Sequence, residues 1–319
     1  MPGEQWCKHP AWPGKLDTII MELNEQIVQQ VQFNAKRNLM ASAAAAGFDF
    51  TADTKQLIEE MAQKQWDEPT KNKLIDHTVK VVLASFYEVN QFYYFDASAA
   101  AQLRLLYVQL LNEIEALDAA SIDFSSLRDQ HFTRLQQWLL HHYPDAKLLY
   151  PEGMPFIERP VVCAEYSAAT QLQVLGIQEA TLVEPILDIG CGKEQHLVNY
   201  LQQKGLQAFG IDREVPPTAF TFQASWLDFS YQPNYWGTII SHLGFSNHFW
   251  HQHLRQGGLF LPYAATYRRI LESLKKGGSF YYTPHLPFVE PYLDPVAYDV
   301  RAKQVESTPF KTTIITRLS

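Results

Sequence analysis

Cysteine is scarce in this chain, with three among 319 residues. Cys7, Cys163 and Cys191 stand far apart and form no Cys-x-x-Cys pair, so neither a disulfide framework nor a cysteine-rich zinc site is implied. An apolar run of the roughly 18 residues that suggest a membrane span is missing. The opening, MPGEQWCKHPAWPGK, has no basic stretch leading into an apolar one. These gaps predict a cytosolic protein with no membrane partner. Positive charge is also in deficit: the formal net charge is −8 and the pI near 5.8, which argues against a large nucleic-acid footprint. Most of the deficit lies in residues 1–155, with 13 Lys+Arg against 20 Asp+Glu, or −7, leaving −1 for the remainder.

What is present suits a folded chain of two domains: 46% of residues are hydrophobic and 13% aromatic. From Lys15 the apolar positions Leu16, Ile19, Ile20, Leu23, Ile27 and Val31 follow the three-and-four spacing of one helix face, and Gly47 is expected to close that helix. The same spacing recurs around Leu57, Leu74, Leu103 and Leu127. Between these runs Thr51, Asp53, Asp96, Ser98, Asp123 and Ser125 offer side-chain oxygens as helix N-caps. An all-helical N-terminal domain over residues 1–155 is therefore expected. Tyr150–Pro160, YPEGMPFIERP, carries three prolines and a glycine and marks the boundary.

Beyond it, strand-like runs at Ile186–Ile189, Ala208–Ile211, Phe220–Phe222, Thr238–Ile240 and Ser279–Tyr282 alternate with helical stretches such as Gln195–Gln203 and Tyr263–Lys275. That alternation predicts an α/β domain over 156–319, with a mostly parallel sheet and ligands beyond the carboxyl ends of its strands. Tyr298–Gln304 and Phe310–Arg317 add an antiparallel pair at one edge.

The first of these strands runs into LDIGCGKEQ, Leu187–Gln195: a strand, a glycine turn, then a helix, which brings backbone N–H groups close to a ligand. A phosphate-binding P-loop would need Ser or Thr after Lys193, where Glu194 stands. A dinucleotide fingerprint would need a small residue at Gln195, and it would set Asp188 and Glu194 against a pyrophosphate. The ligand that suits this place is a cation without phosphate.

LDIGCG resembles the first motif of class I S-adenosylmethionine-dependent methyltransferases. The resemblance covers roughly residues 160–319 and implies a Rossmann-like sheet. It also implies that Asp188 faces the ammonium and sulfonium end of the cofactor, while Gly190 and Gly192 let the backbone approach its amino-acid part. The family often has a further glycine where this chain has Glu194. Asp212, in GIDRE, stands where an acidic side chain accepts hydrogen bonds from ribose hydroxyls. In FQASWLDF, Ser225 and Trp226 fall beside the adenine by position, with Asp228 a candidate for the carboxylate common at 225; ordinary core packing is the alternative for Trp226. YWGTIISHL resembles the fourth strand, ending at Ser241, a cofactor-site candidate, and His242. S-adenosyl-L-homocysteine is the implied product.

Methyl transfer asks mainly for in-line positioning and, for some nucleophiles, removal of a proton. The loop after the fourth strand, SHLGFSNHFWHQHLRQGG, holds His242, His248, His251 and His253. His242 and His248 are candidate general bases. His248 and His251 could share a metal at helical spacing, but no Asp or Glu lies among the four, and no metal site is assigned. For His251 and His253 the expectation is a polar helix packed on Trp250. Tyr166, Asn247 and His285 are candidate substrate contacts, Asn247 alternatively a cap, and Glu290 a weaker one. The aromatic run FYEVNQFYYF, Phe86–Phe95, reads as helical core, with a lid over an apolar substrate as the other reading.

The expected activity is methyl transfer to a small molecule, with the helical domain capping the cofactor cleft and selecting the acceptor. Two other readings remain open at this stage: aminocarboxypropyl transfer or cyclisation on the same cofactor, and a non-catalytic binding module.

Overall fold

The computed structural model describes residues 15–64, 66–149, 154–157, 165–255, 257–305 and 310–319. Cys7, Cys163 and much of the proline-rich boundary segment fall outside them. The chain divides into two compact units, Met1–Cys163 and Ala164–Ser319.

The first unit is helical: α1 (Lys15–Asn34), α2 (Ala43–Ala46), α3 (Ala52–Gln63), α4 (Glu68–Val89), α5 (Ala97–Glu115), α6 (Phe124–His142) and a 3-10 turn at Pro144–Leu149. Side-chain oxygens of Ser42, Thr51, Asp67, Asp96 and Asp123 accept N–H groups in the first turns of α2 to α6. Asp53, Ser98 and Ser125 sit one or two residues inside those helices instead. The first helix does not run on to Gly47. It stops at Asn34, whose amide donates to the Asp49 carbonyl at 2.9 Å, and Lys36 takes a left-handed φ of 61°. Gly47 closes only the short α2.

Met154–Ile157 belongs to this unit. Asn38 N–H donates to the Pro155 carbonyl at 2.8 Å, the Asn38 amide to Met154 at 2.7 Å, and Ile157 N–H to Lys36 at 2.8 Å. The compact units accordingly meet at 163/164, past the proline-rich stretch. Phe86, Tyr93 and Phe95 of the aromatic run are buried in the helical core, where Phe95 stacks on Trp138 with ring centroids 4.7 Å apart.

The second unit contains α7 (Ala168–Leu175), β1 (Ile186–Ile189), α8 (His196–Gln203), β2 (Ala208–Asp212), β3 (Thr221–Gln223), β4 (Trp236–His242), α9 (Phe245–Leu254), α10 (Phe260–Ser273), β5 (Leu274–Thr283), β6 (Tyr298–Gln304) and β7 (Lys311–Arg317). They form one seven-stranded sheet in the order β3-β2-β1-β4-β5-β7-β6. The pairs β1–β2, β1–β4, β2–β3 and β4–β5 are parallel, and β7 alone runs against its neighbours. This is a Rossmann-like doubly wound sheet with an antiparallel strand inserted before its last one, as the resemblance implies. Central strands covered on both faces need continuous apolar sequence, and every residue of β1 is buried. The chain order reverses between β1 and β4, so their carboxyl ends, Ile189 and His242, open the crevice where ligands bind in such sheets.

Candidate active site

Two glycines make the turn after β1. Gly190 and Gly192 have φ of 83° and 72°, a region that side-chain-bearing residues rarely occupy. A Cβ on Gly190 would come within 3.3 Å of the Trp226 ring and 3.4 Å of Gly244 Cα. The turns after β1 and β4 therefore touch through backbone alone. Gly244, unremarked in the sequence, is tightly surrounded: a Cβ there would lie 3.0 Å from the Ile189 carbonyl and from Ser241 Oγ, which would have to give way.

Asp188 sits beneath this turn, 1% exposed, and its Oδ2 has no hydrogen-bond partner. Burial, aided by the nearby charge of Asp212, pushes its carboxyl up to about 8. Asp212 is satisfied differently. Its Oδ2 accepts Gly192 N–H at 3.2 Å and its Oδ1 accepts Glu214 N–H at 2.9 Å, which fastens the end of β2 to the glycine turn. Cys191, between the glycines, is buried, and burial raises its thiol far above the ordinary range. It packs as a small residue within the tight turn.

A third carboxylate arrives from a part of the chain that sequence reasoning passed over. Glu165 Oε1 accepts Lys193 N–H at 2.8 Å, Glu165 Oε2 accepts Glu194 N–H at 3.2 Å, and a Cβ on Gly192 would lie 2.8 Å from Oε1. His196 Nε2 lies 3.8 Å from the same carboxylate. Glu165 thus fills the backbone donors at the start of α8. The only signal in the sequence was its place beside Tyr166, whose ring packs edge-on against His242 with centroids 4.8 Å apart.

Ser225 starts the turn after β3: its hydroxyl accepts Leu227 N–H at 3.2 Å and its carbonyl accepts Phe229 N–H at 3.0 Å. Trp226, in that turn, is half-buried. It lies over Gly190, with its Nε1 3.4 Å from the Tyr263 hydroxyl and its ring edge-on to His248 at 4.9 Å. It thus takes part in packing and still borders the glycine turn. Asp228 is exposed.

Ser241 is fully buried and its hydroxyl is occupied. It donates to the Ile189 carbonyl and accepts Phe245 N–H, each at 2.9 Å. Expected as a cofactor contact, it instead clasps the end of β1 to the start of α9. That bond serves the helix start in place of the cap offered by Asn247, which lies in the first turn of α9, two residues past its beginning.

The two candidate bases separate by burial. His242 ends β4, half-buried, and desolvation pushes it down to about 4, so it is neutral near pH 7. His248 is 4% exposed, lies against Trp226, and is held well below its ordinary range by burial, with Arg213 and His251 adding to the drop. From there it packs edge-on against the indole. His253 stacks on Phe288 at 3.8 Å rather than on Trp250, whose histidine neighbour is His285 at 5.6 Å. His285 Nδ1 is buried without a partner. Glu290 Oε1 accepts the Tyr282 hydroxyl and Leu286 N–H at 2.6 Å and the Thr313 hydroxyl at 2.9 Å, so it serves the sheet. Among the described residues no three His, Cys, Asp or Glu side chains gather as a metal site, and no helix is long and apolar enough to cross a membrane.

No family model and no curated protein matches the chain. Solved structures that it resembles include a Listeria monocytogenes protein assigned to the S-adenosylmethionine-dependent methyltransferases, with 17% identity over 48% of this chain and 79% of that one and a TM-score of 0.26. The antibiotic-resistance methyltransferase Kmr is 14% identical over 49% and 95%, with a TM-score of 0.30. The plantazolicin methyltransferase BpumL, solved with a pentazolic desmethylPZN analogue and SAH, is 14% identical over 42% and 76%, with a TM-score of 0.28. The fold assignment stands on the strand order and the glycine-turn geometry.

Proposed function

We propose that the α/β unit binds S-adenosyl-L-methionine and that the chain is a methyltransferase acting on a small molecule. The observation that carries this reading is the buried Asp188 carboxyl, with one oxygen unpartnered beside the two left-handed glycines. A buried polar atom left unpaired costs stability, and a ligand that pairs with it recovers that cost. Three carboxyl groups, Asp188, Asp212 and Glu165, lie at the turn, a setting hostile to phosphate, and a bound cation would favour the ionised form of Asp188. The residues fit the cofactor on that count. Asp188 would hold its cationic end, Gly190 and Gly192 would admit its backbone-like part, Asp212 would accept from the ribose, and Trp226 and Ser225 would border the base.

When bound, S-adenosylmethionine supplies an electrophilic methyl group on its sulfonium. What the chain must add is an oriented acceptor and, where the acceptor carries a proton, a group to take it. His242, neutral and at the carboxyl end of β4, is that group in this reading, with the edge-on Tyr166 ring limiting its rotation. Tyr166, His285 and Asn247 would contact the acceptor. The acidic charge of the chain favours a small acceptor over nucleic acid.

Calorimetric titration with S-adenosylmethionine and S-adenosylhomocysteine, followed by mass spectrometry of cofactor products in a metabolite extract, tests the reading. Binding of both ligands and accumulation of S-adenosylhomocysteine are expected. Methylthioadenosine as the product would replace methyl transfer with aminocarboxypropyl chemistry. No binding of either ligand would sink the reading.

A further inference from the structure

The helical unit encloses a cavity of about 200 Å³. Its wall is drawn from α1, α3, α4, α5 and α6 together with Leu39, Phe48, Phe50 and Ile157. Every described lining residue lies within residues 26–157, in the helical unit alone, so the cavity does not depend on the cofactor reading. Protein interiors are normally packed without voids much larger than a water molecule. A dry apolar cavity of about 150 Å³ is enough to admit benzene or xenon. This one is lined mostly by apolar side chains, with Ile75, Val82 and Leu135 among those that are buried.

Two of the lining residues carry a buried polar atom with no partner. His131 is 5% exposed, packs its ring against Tyr107 and Phe48 at 5.3 and 6.3 Å, and leaves Nδ1 buried and unpaired. Gln26 Oε1 is the second. Burial, with the nearby Arg134 charge, pushes His131 down to about 4, so it presents a neutral ring. An ionised ligand group would meet no counter-charge on that ring; the cations among the lining residues are Lys36, which is exposed, and Arg37, whose Nε and Nη1 already donate to the Phe33 and Ala46 carbonyls at 3.2 and 3.0 Å, so an anion beside His131 would bear the cost of desolvation. Among the described lining residues Lys36 alone is exposed. The volume is too small for a peptide segment and suits a single ring with a small substituent.

We propose that this cavity is a binding site for a neutral, largely apolar molecule of about one substituted aromatic ring, whose single hydrogen-bonding group pairs with His131 Nδ1.

The test uses the full chain with 4-methylphenol and toluene as probes, read by calorimetry and by isoleucine methyl NMR spectra. Both probes should bind, with shifts at Ile58, Ile75 and Ile114 and none at Ile186, Ile189, Ile211 or Ile239 of the sheet. His131→Phe should weaken 4-methylphenol about tenfold and toluene by less than about threefold, since only the former loses a hydrogen bond. Val82→Phe, which fills the space, should abolish both. Should that variant fail to fold, the methyl shift pattern of the natural chain decides alone. Absence of binding by either probe at millimolar concentration, or shifts centred on the sheet, would overturn the proposal. Equal weakening of both probes by His131→Phe would remove the assigned hydrogen bond and overturn it as stated.

Discussion

Asp188, one residue before the end of β1, and Asp212, the last residue of the parallel β2 beside it, are treated oppositely by their surroundings: Asp212 accepts two backbone N–H groups, while Asp188 keeps a buried oxygen with none. The satisfied carboxylate fixes the glycine turn. The unsatisfied one is left for something that arrives from outside, and its proton affinity records the cost of waiting.

That cost predicts a pH dependence. In the unfolded chain Asp188 titrates near 3.8, and in the folded chain burial and Asp212 raise it to about 8. Between those values the folded protein holds a proton that the unfolded chain has released. Stability therefore falls as pH rises through this window, by at most about 1.4 kcal/mol per pH unit. Asp188→Asn should remove that component, so the difference between the denaturation midpoints of natural and variant protein should vary from pH 5 to 8. Because a cation binds the ionised form, S-adenosylmethionine affinity should rise by up to about tenfold per pH unit below pH 8 in the natural chain and stay flat and weak in the variant. A pH-independent difference in midpoints would refute the assignment of Asp188.

Ser241→Ala distinguishes a clasp from a cofactor contact. Removing the hydroxyl leaves the Ile189 carbonyl and Phe245 N–H without the bonds it makes, at a cost of about 1–3 kcal/mol for each buried group left unsatisfied. Thermal denaturation should show that loss. The S-adenosylmethionine dissociation constant of the folded variant, measured well below its melting temperature, should change less than about threefold, corresponding to under about 0.7 kcal/mol. A stable variant with weak binding would return Ser241 to the cofactor site.

The strand-and-helix plan was legible because it rests on local patterns. The bounds Ile186–Ile189 and Tyr298–Gln304 match to the residue, and the Gly190–Gly192 turn is legible from two glycines directly after an apolar run. What escaped depends on contacts across the chain. The end of α1 at Asn34 has no local breaker; it is set by bonds to Asp49 and by the pairing of Lys36 and Asn38 with Met154–Ile157. Glu165 lies 27 positions before Gly192, and no periodicity links them. Ser241 and His248 look like available polar groups in sequence, and only burial shows that one is spent on backbone and the other on Trp226.

The glycine turn gives a controlled comparison. Gly192→Ala forces a side chain into a φ of 72° and within 2.8 Å of Glu165 Oε1, whereas Gly176→Ala meets a similar φ of 66° with nothing within 4 Å. Both should lose about 1–2 kcal/mol from the left-handed conformation alone. Only Gly192→Ala should displace Glu165, and only it should weaken S-adenosylmethionine binding, by about tenfold or more, or about 1.4 kcal/mol. Equal binding by the two variants would mean that the turn does not approach the ligand.

Glu165 should act through its charge. Its carboxylate retains partial exposure, 30% for the side chain, so solvent screens it and its influence on a nearby cation is modest, about 1 kcal/mol or less. Glu165→Gln keeps an oxygen that can accept Lys193 N–H and removes the negative charge. S-adenosylmethionine carries a sulfonium that S-adenosylhomocysteine lacks, so the substitution should weaken the former more than the latter, by about three- to fivefold in the ratio of dissociation constants. Raising the ionic strength should shrink the difference, as it does for partly exposed charges. A ratio unchanged by Glu165→Gln would leave the residue as a hydrogen-bonding stopper at the start of α8, and the preference for a cation would then rest on Asp188 and Asp212.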